Sequence, residues 1–301
     1  MTHAPHPEME VILAEMRAAA VPDPQTIPLA QARAAFIANA AAWNRPLPSL
    51  ATHETVLGGI PCRMLTPPDA ATDDLIVFIH GGGWTFGTMD THDRFARLLA
   101  LATGRAMLVP DYRLAPEHPC PAAIDDILAI LSAISARRVV LSGDSAGANI
   151  ALAAALARPD AAIAGLSLFY GCFGPIFDTG SHRAAGDGRF GLSTTRMRWY
   201  WQNWLGPRQD ARAAPLHADL HGLPPVHLLA AGLDPLRDDS LLLADRLAAA
   251  GVPTRLDLIP GVIHGFLQMT DRLAPARAAL GLIADQIRAV FQETRNRENH
   301  P

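Results

Sequence analysis

The sequence contains no lysine; all 25 cationic side chains among its 301 residues are arginine. A Walker phosphate loop, a Schiff-base enzyme, a kinase strand lysine and a Ser-x-x-Lys acylase each need an amine that this chain does not have. Cysteine is scarce too. Cys62, Cys120 and Cys172 are odd in number, widely spaced and without a C-x-x-C. That pattern argues against a zinc knuckle, a thioredoxin-type site or a disulfide framework, and fits small buried side chains in a reducing compartment. The net charge is only −4, so no basic field exists to hold nucleic acid or anionic lipid. No uninterrupted apolar run approaches the ~18 to 20 residues of a membrane span. Glu8, Glu10 and Glu15 precede the first arginine, Arg17, which is the wrong polarity for a signal peptide. A cytoplasmic protein without metal or cofactor is expected.

What is present is a 50% hydrophobic chain, long enough to bury roughly three-quarters of its unfolded surface in one core. Residues 1 to about 50 are rich in Ala and Pro, with amphipathic stretches at Met9–Ala20 and Leu29–Trp43 that predict two short helices. From there short apolar runs recur between Gly, Pro and Asp: Thr55–Leu57, Cys62–Leu65, Leu75–His80, Ala106–Tyr112, Arg138–Gly143, Gly165–Gly171, Val226–Gly232 and Thr254–Pro260. Several are continuous rather than alternating, as in strands covered on both faces. Helical periods fill the gaps at about 90–103, 119–136, 146–157, 238–250 and 274–294. Strands alternating with helices imply an α/β architecture with a parallel sheet and right-handed crossovers.

One segment breaks the alternation. More than fifty residues separate Gly171 from Val226, and they carry Phe173, Phe177, Phe190, Trp199, Tyr200, Trp201 and Trp204. A connection of that length is uncommon in a compact unit. It predicts a lid, although aromatic stripes at helical spacing are more often plain packing.

The strongest chemical signal is Gly143-Asp144-Ser145-Ala146-Gly147, set directly between a predicted strand and a predicted helix. A G-x-S-x-G in that context is a nucleophile elbow, with glycines where the sharp turn leaves no space for a Cβ. A serine hydroxyl needs a base, itself oriented by an acid. In the chain order Ser, acid, His, the candidates are Asp234 after the strand Val226–Gly232 and His264 after the last strand. Asp238 and Asp239 are rivals one turn later, where acids commonly cap a helix or favour its dipole. His80-Gly81-Gly82-Gly83-Trp84 follows another strand and fails the G-x-G-x-x-G spacing of a dinucleotide loop. It suits an oxyanion loop, with the N–H groups of Gly82, Gly83 and Ala146 as donors and His80 as a brace. Trp84, Phe86, Trp199 and Trp204 are candidates for lining an acyl or alcohol pocket, with packing in the lid as the equal alternative. His217 and His221 have helical i, i+4 spacing, but no third metal ligand lies near them in sequence. Arg113, Glu117 and His118 are expected in a buried ion-pair network that fixes their loop.

Together, His80–Trp84 with Thr91-His92-Asp93, Asp111–Pro119, Gly143–Gly147, Asp234–Asp238 and His264-Gly265-Phe266 resemble the hormone-sensitive-lipase-like esterases of the α/β-hydrolase fold. The resemblance covers about residues 50–270. It implies a mostly parallel eight-stranded sheet with helices on both faces, and a cap of N-terminal helices (1–50) plus an insertion (172–215). Residues 51–171 and 216–301 then form the catalytic core. It further implies a metal-free hydrolase of small carboxylic esters, favouring short acyl chains and often a homodimer. Three positions depart from the pattern: Ala148 stands where a second glycine is usual, and Asp239-Ser240 where Glu-Gly is usual. An amidase such as an arylformamidase, or a small-molecule receptor on the same scaffold, are the competing readings.

Overall fold

The computed structural model describes residues 4–19, 21–158 and 162–299. The eight predicted apolar runs all form strands: β1 (Ala51–Leu57), β2 (Ile60–Thr66), β3 (Asp74–Ile79), β4 (Ala106–Pro110), β5 (Arg138–Asp144), β6 (Ile163–Phe169), β7 (Val226–Ala231) and β8 (Thr254–Ile259). They make a single sheet in the order β1-β2-β4-β3-β5-β6-β7-β8. β2 runs against both neighbours, and every other pairing from β4 to β8 is parallel. β3, β5 and β7 are buried at every residue, as their continuous apolar runs require. The edge strands β1 and β8 have no fully buried residue.

Helices α1 (Pro7–Ala19) and α2 (Leu29–Trp43) precede the sheet. Then come α3 (Asp93–Thr103), α4 (Ala122–Ala133), α5 (Ala146–Ala157), α6 (Gly180–Ala185), α7 (Thr194–Leu205), α8 (Arg237–Ala249) and α9 (Ala274–Asn299). One core cluster joins one face of the sheet to α4, α5, α7 and α8, and a second joins the other face to α1, α3 and α9. α5 is buried on all sides over its first ten residues, so its Ala-rich sequence lets it press directly on the sheet.

The observed boundaries differ from the expected ones for local reasons. Ala20, the predicted end of the first helix, lies outside the described residues. β1 starts four residues early because its leading residues are exposed and carry no apolar signal. The period at 90–103 splits into a 3-10 turn, Met89–His92, capped by Thr88, and then α3. The period at 119–136 shortens to α4, since Pro119 and Pro121 keep the chain out of helix before Ala122. α9 runs past the predicted end at 294 along a charged surface that shows no periodicity.

Both segments outside the alternation meet loops at the C-terminal ends of the strands. α1 reaches the loop after β8, where the His6 N–H donates to the Gly261 carbonyl at 2.9 Å. α2 and α7 meet the loop after β3, through Phe36 on Phe86 and through Trp201 and Trp204 on Trp84.

Candidate active site

Ser145 stands between β5 and α5 at φ 54, ψ −120, a strained conformation for a residue with a Cβ. The flanking glycines are sterically required. A Cβ on Gly143 would lie 2.5 Å from the Gly147 carbonyl carbon, and one on Gly147 would lie 2.0 Å from the Ile79 carbonyl oxygen. The turn aims the Ser145 hydroxyl at His264, whose Nε2 is 2.9 Å from Oγ. His264 Nδ1 lies 2.7 Å from Asp234 Oδ2. A carboxylate only accepts, so Nδ1 carries the proton and Nε2 is left to accept from the serine hydroxyl. Asp234 is held in turn, as its Oδ1 accepts from the Leu236 N–H at 2.8 Å. Tyr170 closes the third side of the imidazole, edge-on at 5.0 Å. Burial alone would lower the His264 pKa, but the charge and hydrogen bond of Asp234 outweigh it and raise the pKa above the ordinary value.

The predicted oxyanion loop sits beside this line. Gly82 and Gly83 both have positive φ, 122 and 58. A Cβ on Gly82 would strike the Phe86 carbonyl at 2.2 Å, and one on Gly83 the Tyr200 ring at 2.4 Å. The Gly81 N–H is not a free donor, because it binds Asp144 Oδ1 at 2.8 Å. Among the described residues no protein acceptor takes the N–H groups of Gly82, Gly83 or Ala146. Asp144 therefore ties the glycine loop to the elbow. Its carboxyl is buried, yet His92 and the Gly81 N–H hold it below the usual carboxylate range. His80 braces as expected: its Nδ1 donates to the Gly81 carbonyl at 2.9 Å, and its own carbonyl accepts from the Tyr112 hydroxyl at 2.8 Å. Burial, then the neighbouring His92, push the His80 pKa down to about 3, which leaves this imidazole neutral. Spacing alone assigns no supporting role to Asp144, His92 or Tyr112, although each lies inside a motif that carries the family resemblance.

Other expectations are corrected. Asp238 and Asp239 lie in the first turn of α8 but do not cap it; the N-cap is Leu236, without a side-chain bond. Their carboxylates cross to the segment after β6 instead, Asp238 accepting from the Ser181 N–H at 2.8 Å and Asp239 from the Phe173 N–H at 3.1 Å. Trp84 and Trp204 are fully buried and stacked on one another at 5.2 Å, with Trp201 edge-on to Trp84. Phe86 lies between Phe36 and Trp199, and Trp199 alone of the four keeps partial exposure. Three of the four lining candidates are thus buried in aromatic packing between the loop after β3 and helices α2 and α7. Arg113 pairs with buried Asp126 at 2.6 Å, and Glu117 with Arg33 at 2.7 Å, but Arg113 and Glu117 are themselves half exposed, so the network is not a buried one. His221, as expected of a loop histidine, is exposed, and it is bonded to Asp219.

The fold contains a second Ser-His-Asp series. Ser167 Oγ is 3.3 Å from His227 Nδ1, and His227 Nε2 is 3.0 Å from Asp257 Oδ2. It crosses the middle of β6, β7 and β8, with no elbow and no helix N-terminus behind the serine. Arg255 already engages both oxygens of Asp257. Ser167 is fully buried, so this series is part of the sheet's packing.

A serine, a histidine and an acid placed after β5, β8 and β7 of an α/β sheet define a hydrolase class. The pattern of the alpha/beta hydrolase fold family matches residues 76–268, and the chain belongs to that family. The chain is similar to an ester-hydrolase from the metagenome of Lake Arreo, complexed with a derivative of bipyridine phosphonate (32% identity, 96% of this chain and 99% of that one, TM-score 0.87). It is also similar to a hyperthermophilic esterase from the archaeon Pyrobaculum calidifontis (28% identity, 96% and 99%, TM-score 0.88). An esterase of the bacterial hormone-sensitive lipase family matches at 28% identity over 95% and 99%, TM-score 0.87. The protein is an enzyme of the carboxylic-ester hydrolase class, in the hormone-sensitive-lipase-like branch.

Proposed function

We propose that the enzyme hydrolyses small carboxylic esters, of short acyl chain, through an acyl-enzyme on Ser145. The observation that carries this is the unbroken line from Ser145 Oγ through His264 to Asp234, at 2.9 and 2.7 Å, on a strained elbow. His264 Nε2 takes the serine proton as Oγ bonds to the ester carbonyl carbon. The N–H groups of Gly82, Gly83 and Ala146 receive the oxyanion, and each such donor contributes about 3–4 kcal/mol to the transition state. Collapse breaks the bond to the alcohol, which leaves with the proton from His264. Water then repeats the sequence and releases the acid. Residues 1–50 and 172–215 act as the cap over a core of 51–171 and 216–301. A short acyl chain suits a site where Ser145 is 7% exposed and the Tyr200 ring lies against Gly83. Ala148, in place of the usual glycine, adds a fully buried methyl just behind the elbow.

The test is a series of p-nitrophenyl esters of rising acyl length, beside aryl formamides, with and without EDTA. Highest kcat/KM on two- to four-carbon esters, unchanged by the chelator, is the expected result. Preference for the formamide, or loss of rate on chelation with recovery by zinc, contradicts it.

The rate also carries a pH signature. Only neutral His264 accepts a proton, and Asp234 favours the protonated form, so the base appears at higher pH than a free imidazole would. On a neutral ester, kcat/KM should rise with pH through a midpoint above the ordinary value of about 6.5. The stabilisation that protonated His264 gains from Asp234 is complete below the unfolded pKa and is lost as pH rises through the folded one. A midpoint at or below the ordinary value would count against His264 as the base.

A further inference from the structure

Arg33, on α2, reaches into the loop that follows the oxyanion glycines. Its Nε donates to the Thr85 carbonyl at 3.0 Å, and its Nη2 to the Ala115 carbonyl at 3.0 Å. Glu117 takes Nη1 and Nη2 at 2.8 and 2.7 Å and so fixes the plane of the guanidinium. The Thr85 carbonyl shares one rigid peptide unit with the Phe86 N–H, and that N–H donates to the Gly82 carbonyl at 2.9 Å. The Gly82 carbonyl in turn shares one peptide unit with the Gly83 N–H. Because the carbonyl and N–H of a trans peptide point in opposite directions, fixing the Gly82 oxygen fixes the direction of the Gly83 donor. Two planar peptides therefore link an arginine of the N-terminal segment to the hydrogen that meets the substrate's oxyanion.

We propose that Arg33 is a positioning residue for catalysis: through the Thr85–Phe86 and Gly82–Gly83 peptides it sets the aim of the Gly83 N–H. It touches no substrate atom. Hydrogen bonds in series polarise one another, so the guanidinium also strengthens the last donor of the row. The same turn is gripped from the other lid segment, where Phe86 and Thr85 meet Tyr200 and Asn203 of α7. Docking of α2 is thus coupled to formation of the oxyanion hole, and the undocked enzyme would bind ester but turn it over slowly.

The proposal rests on Ser145 chemistry with Gly83 as a donor, and it is tested with two readouts. One is kcat and KM on a short p-nitrophenyl ester, with enzyme concentration set by active-site titration. The other is the inhibition constant of an alkyl trifluoromethyl ketone, whose tetrahedral adduct places an oxyanion in the hole. For Arg33→Ala, kcat falls about 10- to 100-fold, the range for an oxyanion donor misplaced rather than deleted. Ketone affinity weakens by the same factor, while KM stays within about threefold because the ground state does not use the hole. Arg33→Lys, which keeps the charge without the fork, is intermediate. Glu15→Gln breaks the comparable bond of α1 to Arg272, away from the loop, and leaves both readouts unchanged. Ketone affinity at the wild-type level in Arg33→Ala, whatever happens to kcat, overturns the proposal. If Arg33→Ala does not fold, Arg33→Lys carries the same decision. A wild-type enzyme that neither cleaves esters nor binds the ketone would instead overturn the ester-hydrolase reading.

Discussion

Ser145→Ala is expected to lower kcat by roughly 10⁴- to 10⁶-fold, since the members of a triad act as a unit and the loss of one leaves the others without a task. Without Oγ no acyl-enzyme can form, and only the oxyanion donors and a water activated by His264 remain. The fold should be unaffected, because alanine meets the same strain at φ 54 that serine does, and the Ser145 N–H still bonds to the Phe169 carbonyl. Covalent labelling by an organophosphonate should vanish together with turnover. Near-wild-type turnover in a folded Ser145→Ala enzyme would remove the basis of the mechanism.

Asp234→Asn should cost about 10⁴-fold in kcat, the magnitude known for the equivalent change in a related triad. The amide still accepts the Leu236 N–H through its oxygen, so the loop keeps its shape. Its NH₂ group then faces His264 and favours the tautomer with the proton on Nε2, which cannot accept from Ser145. Asp239→Asn is the informative contrast. Burial pushes the Asp239 carboxyl up, and the hydrogen bond it accepts from the Phe173 N–H can be kept by the oxygen of asparagine. That variant, and Asp238→Asn, should keep kcat within about tenfold and show any loss in melting temperature, since hydrogen bonds of this kind hold about 0.5–1.5 kcal/mol. Measuring kcat and Tm on the three proteins separates the roles. An active Asp234→Asn beside a folded but inactive Asp239→Asn would assign the acid to Asp239.

The legible parts of this molecule are those with a local physical signature. The apolar runs around Val77, Leu141 and Leu228 mark strands buried on both faces, and all are found there. Ser145 is legible because the turn that holds it admits no Cβ at Gly143 or Gly147, and His264 because it sits beside Gly265 just beyond the last strand. What stays hidden depends on partners far away in sequence. Asp238 and Asp239 look like helix caps by position, but their hydrogen bonds reach 57 and 66 residues back. Trp84 and Trp204 look equally suited to a pocket wall or a core, and their stacking on one another depends on residues 120 positions apart being brought together by the fold. Arg33 is one arginine among many on an Ala-rich helix until Thr85 and Glu117, 52 and 84 residues on, are brought beneath it.

The most direct test of the central claim is to trap the acyl-enzyme. The protein is mixed with a short p-nitrophenyl ester, quenched in acid within the first turnover, and analysed by intact-mass and peptide mass spectrometry. A single acyl group on the peptide that carries Ser145, absent in Ser145→Ala and accumulating when deacylation is slowed, is the predicted result. An acyl group on the peptide that carries Ser167, or full turnover with no covalent species in a burst-phase quench, would contradict it.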